Sequence, residues 1–226
     1  KGGLHAAATQ NSAQAYQHIE PSLVGNSNDV VISELSGRGN IVHRIKEMGL
    51  TADLDDADAR RIVQYVKDQE SKGFSYEGAN ASFDLVLRRN LPNYEAPYEL
   101  VDFMVVIENR RRSSFGTGWR KDGAEHPMLS EATVKVRVGD EILHTAAEGD
   151  GPVGALDGAL RKGLIDAYPE LSAIRLTDYK VRVVNEGVGT GAAVRVVIES
   201  ADDKNVWYTV GASTNILEAS WLALTD

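Results

Sequence analysis

Val134-Lys135-Val136-Arg137-Val138-Gly139-Asp140 alternates valine with charge and then breaks at a glycine, the pattern of a half-buried strand entering a tight turn. Val196 and Ile198 lie 62 positions beyond Val134 and Val136 and repeat the same phase. The likeness extends to both sides of these strands. Strand, turn, strand and helix run from Thr133 to Ala167 and again from Ala193 to Leu224, with helix starts at Gly151-Pro152 and at Ser213-Thr214, 62 positions on. Leu100 to Glu108 and Ile174 to Val184 give each copy a leading strand. The pattern predicts two βββα units. Each such unit covers one face of its sheet with a helix, so the two are expected to pack as a pair and to bury more apolar surface in a dimer. The last helix carries Ile216, Leu217, Ala219, Trp221, Leu222 and Leu224, and is expected to dock on the sheet or on a partner subunit.

Upstream the apolar period is 3.6. Ile41, Ile45 and Met48 share one face of a helix that Gly49 ends; Ala59, Ile62, Val63 and Val66 form the stripe of a second helix from Asp55 to about Ser71, stopped by Lys72-Gly73. Asp55, Asp56 and Asp58 crowd its first turn, where the helix dipole favours negative charge. A third helix is expected over Glu77 to Arg89, burying Ala79, Phe83, Val86 and Leu87. The period changes to 2 after Leu91-Pro92-Asn93-Tyr94. The expected fold class is therefore α+β, a short helical linker subdomain over 1–94 followed by a domain of two βββα repeats over 95–226.

Composition narrows the function. With 24 Lys and Arg against 33 Asp and Glu, the formal charge of −9 opposes the basic face that nucleic-acid binding requires. Hydrophobic residues at 42% suffice for a packed core. Zero cysteines exclude disulfides and thiolate metal sites and suit a cytoplasmic protein. The longest apolar run, Phe103 to Ile107, is far below the roughly 20 residues that span a bilayer, so no membrane partner is expected. The chain opens at Lys1-Gly2-Gly3-Leu4-His5, with neither an initiator Met nor a basic-then-apolar leader, which reads as a fragment or a processed form.

The sharpest local motif is Gly149-Asp150-Gly151-Pro152-Val153, where glycines tolerate unusual backbone angles, proline opens a helix and the free amides of the first turn face outward. Gly211-Ala212-Ser213-Thr214-Asn215 repeats the theme, with Glu218 at capping-box spacing from Asn215. Helix capping alone explains both. Jointly, the two starts could instead hold a small zwitterion, its carboxylate on the amides and its side chain in a cleft between sheet and helix. The candidate contacts are Gly149, Asp150, Gly151, Pro152, Ser213 and Thr214.

Other motifs are weaker. Gly187-Val188-Gly189-Thr190-Gly191 resembles a dinucleotide fingerprint but leads into a strand, not a helix, and is read as a hairpin loop. His5, His18, His43, His126 and His144 show no metal-ligand spacing, so no metal site is expected. His5 follows Gly2-Gly3 and precedes Tyr16 in a stretch poor in charge. Arg110-Arg111-Arg112 reads as a solvated loop rather than a phosphate site, and Glu34-Leu35-Ser36-Gly37-Arg38-Gly39-Asn40 as a turn capped into a helix.

Several segments, in order along the chain, resemble the C-terminal half of the α-isopropylmalate synthase and citramalate synthase family. They are Lys1-Gly2-Gly3-Leu4-His5, Tyr16 with His18-Ile19-Glu20-Pro21, Ser33 to Asn40, Glu148-Gly149-Asp150-Gly151-Pro152-Val153, and Ser213-Thr214-Asn215-Ile216-Leu217-Glu218-Ala219-Ser220. Gly73-Phe74-Ser75-Tyr76-Glu77-Gly78-Ala79 and Arg175-Leu176-Thr177-Asp178-Tyr179-Lys180-Val181 favour the citramalate branch. The resemblance implies an acyltransferase that condenses acetyl-CoA with a 2-oxo acid, pyruvate in that branch, on an N-terminal barrel holding a divalent metal. That barrel is absent here, so this part is expected to be inactive alone and to need no cofactor.

The resemblance further implies a homodimer inhibited by a branched-chain amino acid, isoleucine favoured and leucine the alternative. His5 and Tyr16 would be accessory catalytic residues reaching a neighbouring subunit's active site. Family members of the isopropylmalate type usually carry an acidic residue two positions after this histidine; Ala7 stands there. Two other readings remain open, the same part of an α-isopropylmalate synthase and a dimerisation scaffold that binds no ligand.

Overall fold

The computed structural model describes Leu23 and residues 38–50, 55–108, 129–184 and 189–226. Three helices come first, α1 (Arg38–Glu47), α2 (Asp56–Ser71) and α3 (Asn80–Arg89). Gly49 leaves α1 at φ 71, the left-handed stop expected of it. Asp55 caps α2 by accepting from the amides of Ala57 and Asp58, while the Asp58 carboxylate accepts from the Asp55 amide, a complete capping box. The third helix begins at Asn80 rather than at the expected Glu77, because Gly78 takes φ 77 and breaks the turn. Ala79, Phe83, Val86 and Leu87 are buried as the pattern required. Arg44 grips Asp84 with two charge-assisted bonds of 2.8 and 2.7 Å and so locks α1 onto α3.

The first repeat consists of β1 (Glu99–Glu108), β2 (Leu129–Val138), β3 (Glu141–Gly149) and α4 (Pro152–Leu164). Its sheet is antiparallel in the order β1-β2-β3, and Val138 faces Glu141 across the Gly139-Asp140 turn, with Gly139 at φ 58. After a 3-10 turn (Pro169–Ala173) the second repeat supplies β4 (Arg175–Val183), β5 (Val194–Ala201), β6 (Val206–Ser213) and α5 (Ile216–Leu224), its sheet ordered β4-β5-β6. The fold is α+β with two βββα units. Val134, Val136, Val196 and Ile198, matched by the offset of 62, are all buried.

That offset does not persist. The β5–β6 turn occupies 202–205 where the β2–β3 turn has only Gly139-Asp140, so the copies run 64 apart beyond it, and the helix caps that correspond are Gly151 and Asn215. Ser213 and Thr214 therefore match Gly149 and Asp150, not Gly151 and Pro152. The new register is fixed by chemistry: Thr145 Oγ1 donates to the Ala159 carbonyl at 2.7 Å, and Thr209 Oγ1 donates to the Ala223 carbonyl at 2.7 Å.

The described residues fall into two compact units. One holds α1–α3 with residues 178–200 and 206–226; the other holds 96–177 with 201–205. In the first, the core joins Ile41, Ile45, Ile62, Val66 and Phe83 of the helical segment to Val210 of β6, with Val197 of β5 packed on it. The second sheet is thus covered by α5 on one face and by the helical segment on part of the other. The greasy α5 docks on its own sheet, with Ala219, Ser220, Trp221 and Ala223 buried. In the second unit α4 covers one sheet face, and Met104, Val106 and Ile142 are exposed. Among the described residues no helix is long and apolar enough to cross a membrane.

Candidate functional site

The start of α4 is open. Its cap, Gly151, is extended at φ −156 and ψ 168, carries no side chain to accept from the first turn, and is followed by Pro152 at the first helical position. The amides of Val153 and Gly154 therefore emerge without a side-chain cap. Partial positive charge collects at such an end. A Cβ on Gly151 or Gly154 would meet nothing within 4 Å, so there is room for a side chain at either position.

Gly149 plays another part. A Cβ there would lie 2.6 Å from the Ala155 amide nitrogen and 2.9 Å from the Gly154 carbonyl carbon, so glycine is required by close approach of backbone to backbone. Neither Gly149 nor Gly151 adopts positive φ, which corrects the conformational reason read from sequence. Asp150 is exposed at the corner.

The start of α5 is occupied by its own side chains. Asn215 accepts from the Leu217 amide at 2.9 Å; Ser213 Oγ accepts from the Asn215 amide at 3.0 Å and donates to Glu218 at 2.5 Å. The capping box expected between Asn215 and Glu218 is relayed through the Ser213 hydroxyl. Thr214 is exposed. Gly149, Asp150, Gly151 and Pro152 share one helix start in the second compact unit, and Ser213 and Thr214 share the other helix start in the first.

His5, Tyr16, His18, His126, Glu34 to Gly37, Arg110 to Arg112 and Gly187-Val188 lie outside the described residues. Gly189–Gly191 form a 3-10 turn leading to β5, as a hairpin connection should. His43 pairs with Glu47 at 3.2 Å on α1, and His144 faces Lys135 across the strands. No group of three metal-ligating side chains occurs among the described residues. A shallow hollow beside β3 is lined by Glu131, Ala146, Ala147, Glu148 and Lys162.

Some polar anchors escaped the sequence reading. Tyr179 of β4 and Ser220 of α5 share a hydrogen bond of 2.7 Å, and Ser220 also donates to the Ile216 carbonyl at 2.6 Å. A serine among the apolar residues of α5 was the available signal. Arg195 of β5 donates to the carbonyls of Gly73 and Phe74 at 2.5 and 3.2 Å, a partnership across more than 120 positions that no local pattern reveals.

Comparison with known proteins gives a consistent picture. Residues 77–226 match the model of the LeuA allosteric (dimerisation) domain, and residues 1–73 match that of the homocitrate synthase post-HMGL domain-like family. The whole chain is 42% identical to the (R)-citramalate synthase of Aquifex aeolicus and 43% identical to that of Geobacter sulfurreducens, covering 40% of each. It is 30% identical to the 2-isopropylmalate synthase of Shewanella amazonensis over 98% of the chain and 38% of that protein. The chain thus spans about two fifths of the length of these curated relatives.

Proposed function

The chain belongs to the LeuA allosteric (dimerisation) domain family, and on that premise we propose that it is the linker and amino-acid-sensing part of a cytoplasmic citramalate synthase. The whole protein, in this reading, condenses acetyl-CoA with pyruvate on a metal-bearing barrel and acts as a homodimer. Residues 1–94 form the linker module and residues 95–226 the regulatory module. His5 and Tyr16 serve the neighbouring subunit's active site.

The observation that carries the reading is the likeness to citramalate synthases along the full chain, with the 2-isopropylmalate synthase relative more distant. The effector is a branched-chain amino acid, isoleucine before leucine. Its carboxylate suits the uncapped first turn of α4, where Gly149 lets the chain pass close and Gly151 leaves room; Asp150 and Pro152 are the further candidate contacts at that start, and Ser213 and Thr214 are those at the start of α5. Inhibition requires that the effector prefer one arrangement of the protein, since equal affinity for two shifts nothing.

Two measurements test this. The full-length protein should turn over pyruvate in preference to 2-oxoisovalerate; the reverse preference would make it an isopropylmalate synthase. Calorimetry of the 226-residue chain should give heat with isoleucine. Silence with isoleucine, leucine and valine alike would leave a dimerisation scaffold.

A further inference from the structure

The second sheet and the helical segment meet at a joint built from two independent constraints. Gly73 ends α2 at φ 107, and a Cβ there would lie 3.3 and 3.5 Å from the two methyls of Val184 and 3.6 Å from the Ala212 Cβ. Conformation demands glycine, and a side chain there would also press on a Val184 methyl. Its carbonyl, and that of Phe74, then point at the Arg195 guanidinium.

The carbonyls after a helix lack intrahelical donors, so a bidentate cation supplies what the backbone cannot. Burial and the nearby Arg182 hold the Arg195 pKa below the usual guanidinium value, while Glu70 acts in the opposite sense. A partly buried charge of this kind is held by its partners, and its removal leaves two carbonyls unanswered. The corresponding position of the first repeat, 62 earlier, is Thr133, so the arginine belongs to the docking of the helices and not to the repeat.

We propose that Arg195 is a positioning residue that fastens the end of α2 to β5, so that movement of the second sheet is delivered to the helical segment. The regulatory consequence rests on the effector reading above: the joint carries the inhibitory signal out of the sensing repeats without touching the effector.

Arg195→Met and Arg195→Lys test it, in the 226-residue chain and in the full-length protein. In the Met variant the isoleucine dissociation constant should stay as in wild type while the effect of isoleucine on activity falls by at least about fivefold, the lower end of ordinary allosteric coupling. Lysine, which donates without bridging two carbonyls, should restore part of it. An unchanged inhibition curve with a lower Tm would reduce Arg195 to a stabilising contact and overturn the proposal.

Amide exchange in the chain gives a second readout that needs no effector. Residues 73 and 74, whose amides donate to Glu70 and Gln69 carbonyls, should exchange faster in Arg195→Met, and unchanged exchange there overturns the joint. Should wild type bind no branched-chain amino acid, the effector reading fails separately, and exchange alone decides whether Arg195 fastens the helices.

Discussion

Gly149 and Gly151 stand two positions apart and answer to different demands. Alanine at 149 forces its Cβ against the Ala155 amide, so Gly149→Ala should cost about 1–3 kcal/mol in urea unfolding, the range for overpacking. Serine at 151 meets open space in an extended conformation and can accept from the bare first turn. Gly151→Ser should therefore raise stability by about a few tenths of a kcal/mol while weakening isoleucine binding in calorimetry, because the new hydroxyl competes for the amides. A variant that gains stability and binds isoleucine as before would remove the α4 start from the site. The motif was legible from sequence as a helix start, but its steric reason was not, since the Ala155 backbone approaches Gly149 only after the corner folds. The repeats make the same point elsewhere. Gly158 of α4 lies over Ala147, whereas Leu222 of α5 lies over Gly211, so each close approach of helix to strand needs one missing side chain and each copy removes it from a different partner.

Elements are finished by contacts of this kind at their ends and edges. Each sheet has an edge strand whose unpaired backbone invites association, and equivalent positions are guarded in both copies by different means. Lys162 Nζ donates to the Ala146 carbonyl at 2.9 Å, and the Val210 amide donates to the buried Ser82 Oγ at 2.9 Å. The threonine pair is equivalent too, yet not equal in consequence. Ala223 lies in the last turn of α5, where its carbonyl has no intrahelical donor, whereas Ala159 lies inside α4. Thr209→Val should cost about 1–3 kcal/mol, a buried carbonyl left unsatisfied, and Thr145→Val roughly 0.5–1.5, a single hydrogen bond lost, both read from denaturant midpoints. At the start of α2, the amides of Asp58 and Ala57 hold the Asp55 carboxyl below its ordinary value of 3.8. A lowered folded pKa means that this contribution is complete above 3.8 and fades as pH falls through the folded value below it. Asp55→Ala should accordingly lower the unfolding midpoint at pH 7, and the gap from wild type should narrow below pH 3.8; a gap that widens there would contradict the assigned sign.

At the scale of the whole molecule, period and punctuation in the sequence sufficed for the three helices, the six strands and the duplication, because each is a local pattern. The helical period gave the faces of α1–α3 but not what they would cover, since Val210 reads in sequence only as one more strand valine. Its place in the core is settled by the helices that close over β6. The drift from 62 to 64 was hidden for a similar reason: both turns are polar, and only the threonine bonds and caps beyond them reveal the longer one. A consequence for cooperativity follows from Val210, which sits in one core with Ile41, Ile62 and Phe83 while β2 and α4 belong to the other compact unit. Val210→Ala removes two methyl groups from that shared core and should cost roughly 1–3 kcal/mol. Sub-global opening follows packed units rather than chain order, so amide protection in α2, α3 and β6 should fall together, although more than 100 positions separate β6 from the two helices. Protection in β2 and α4 should hold at the wild-type level. Loss confined to β6 would show that the helices keep their core without the strand, and equal loss in β2 would show that the two units open as one.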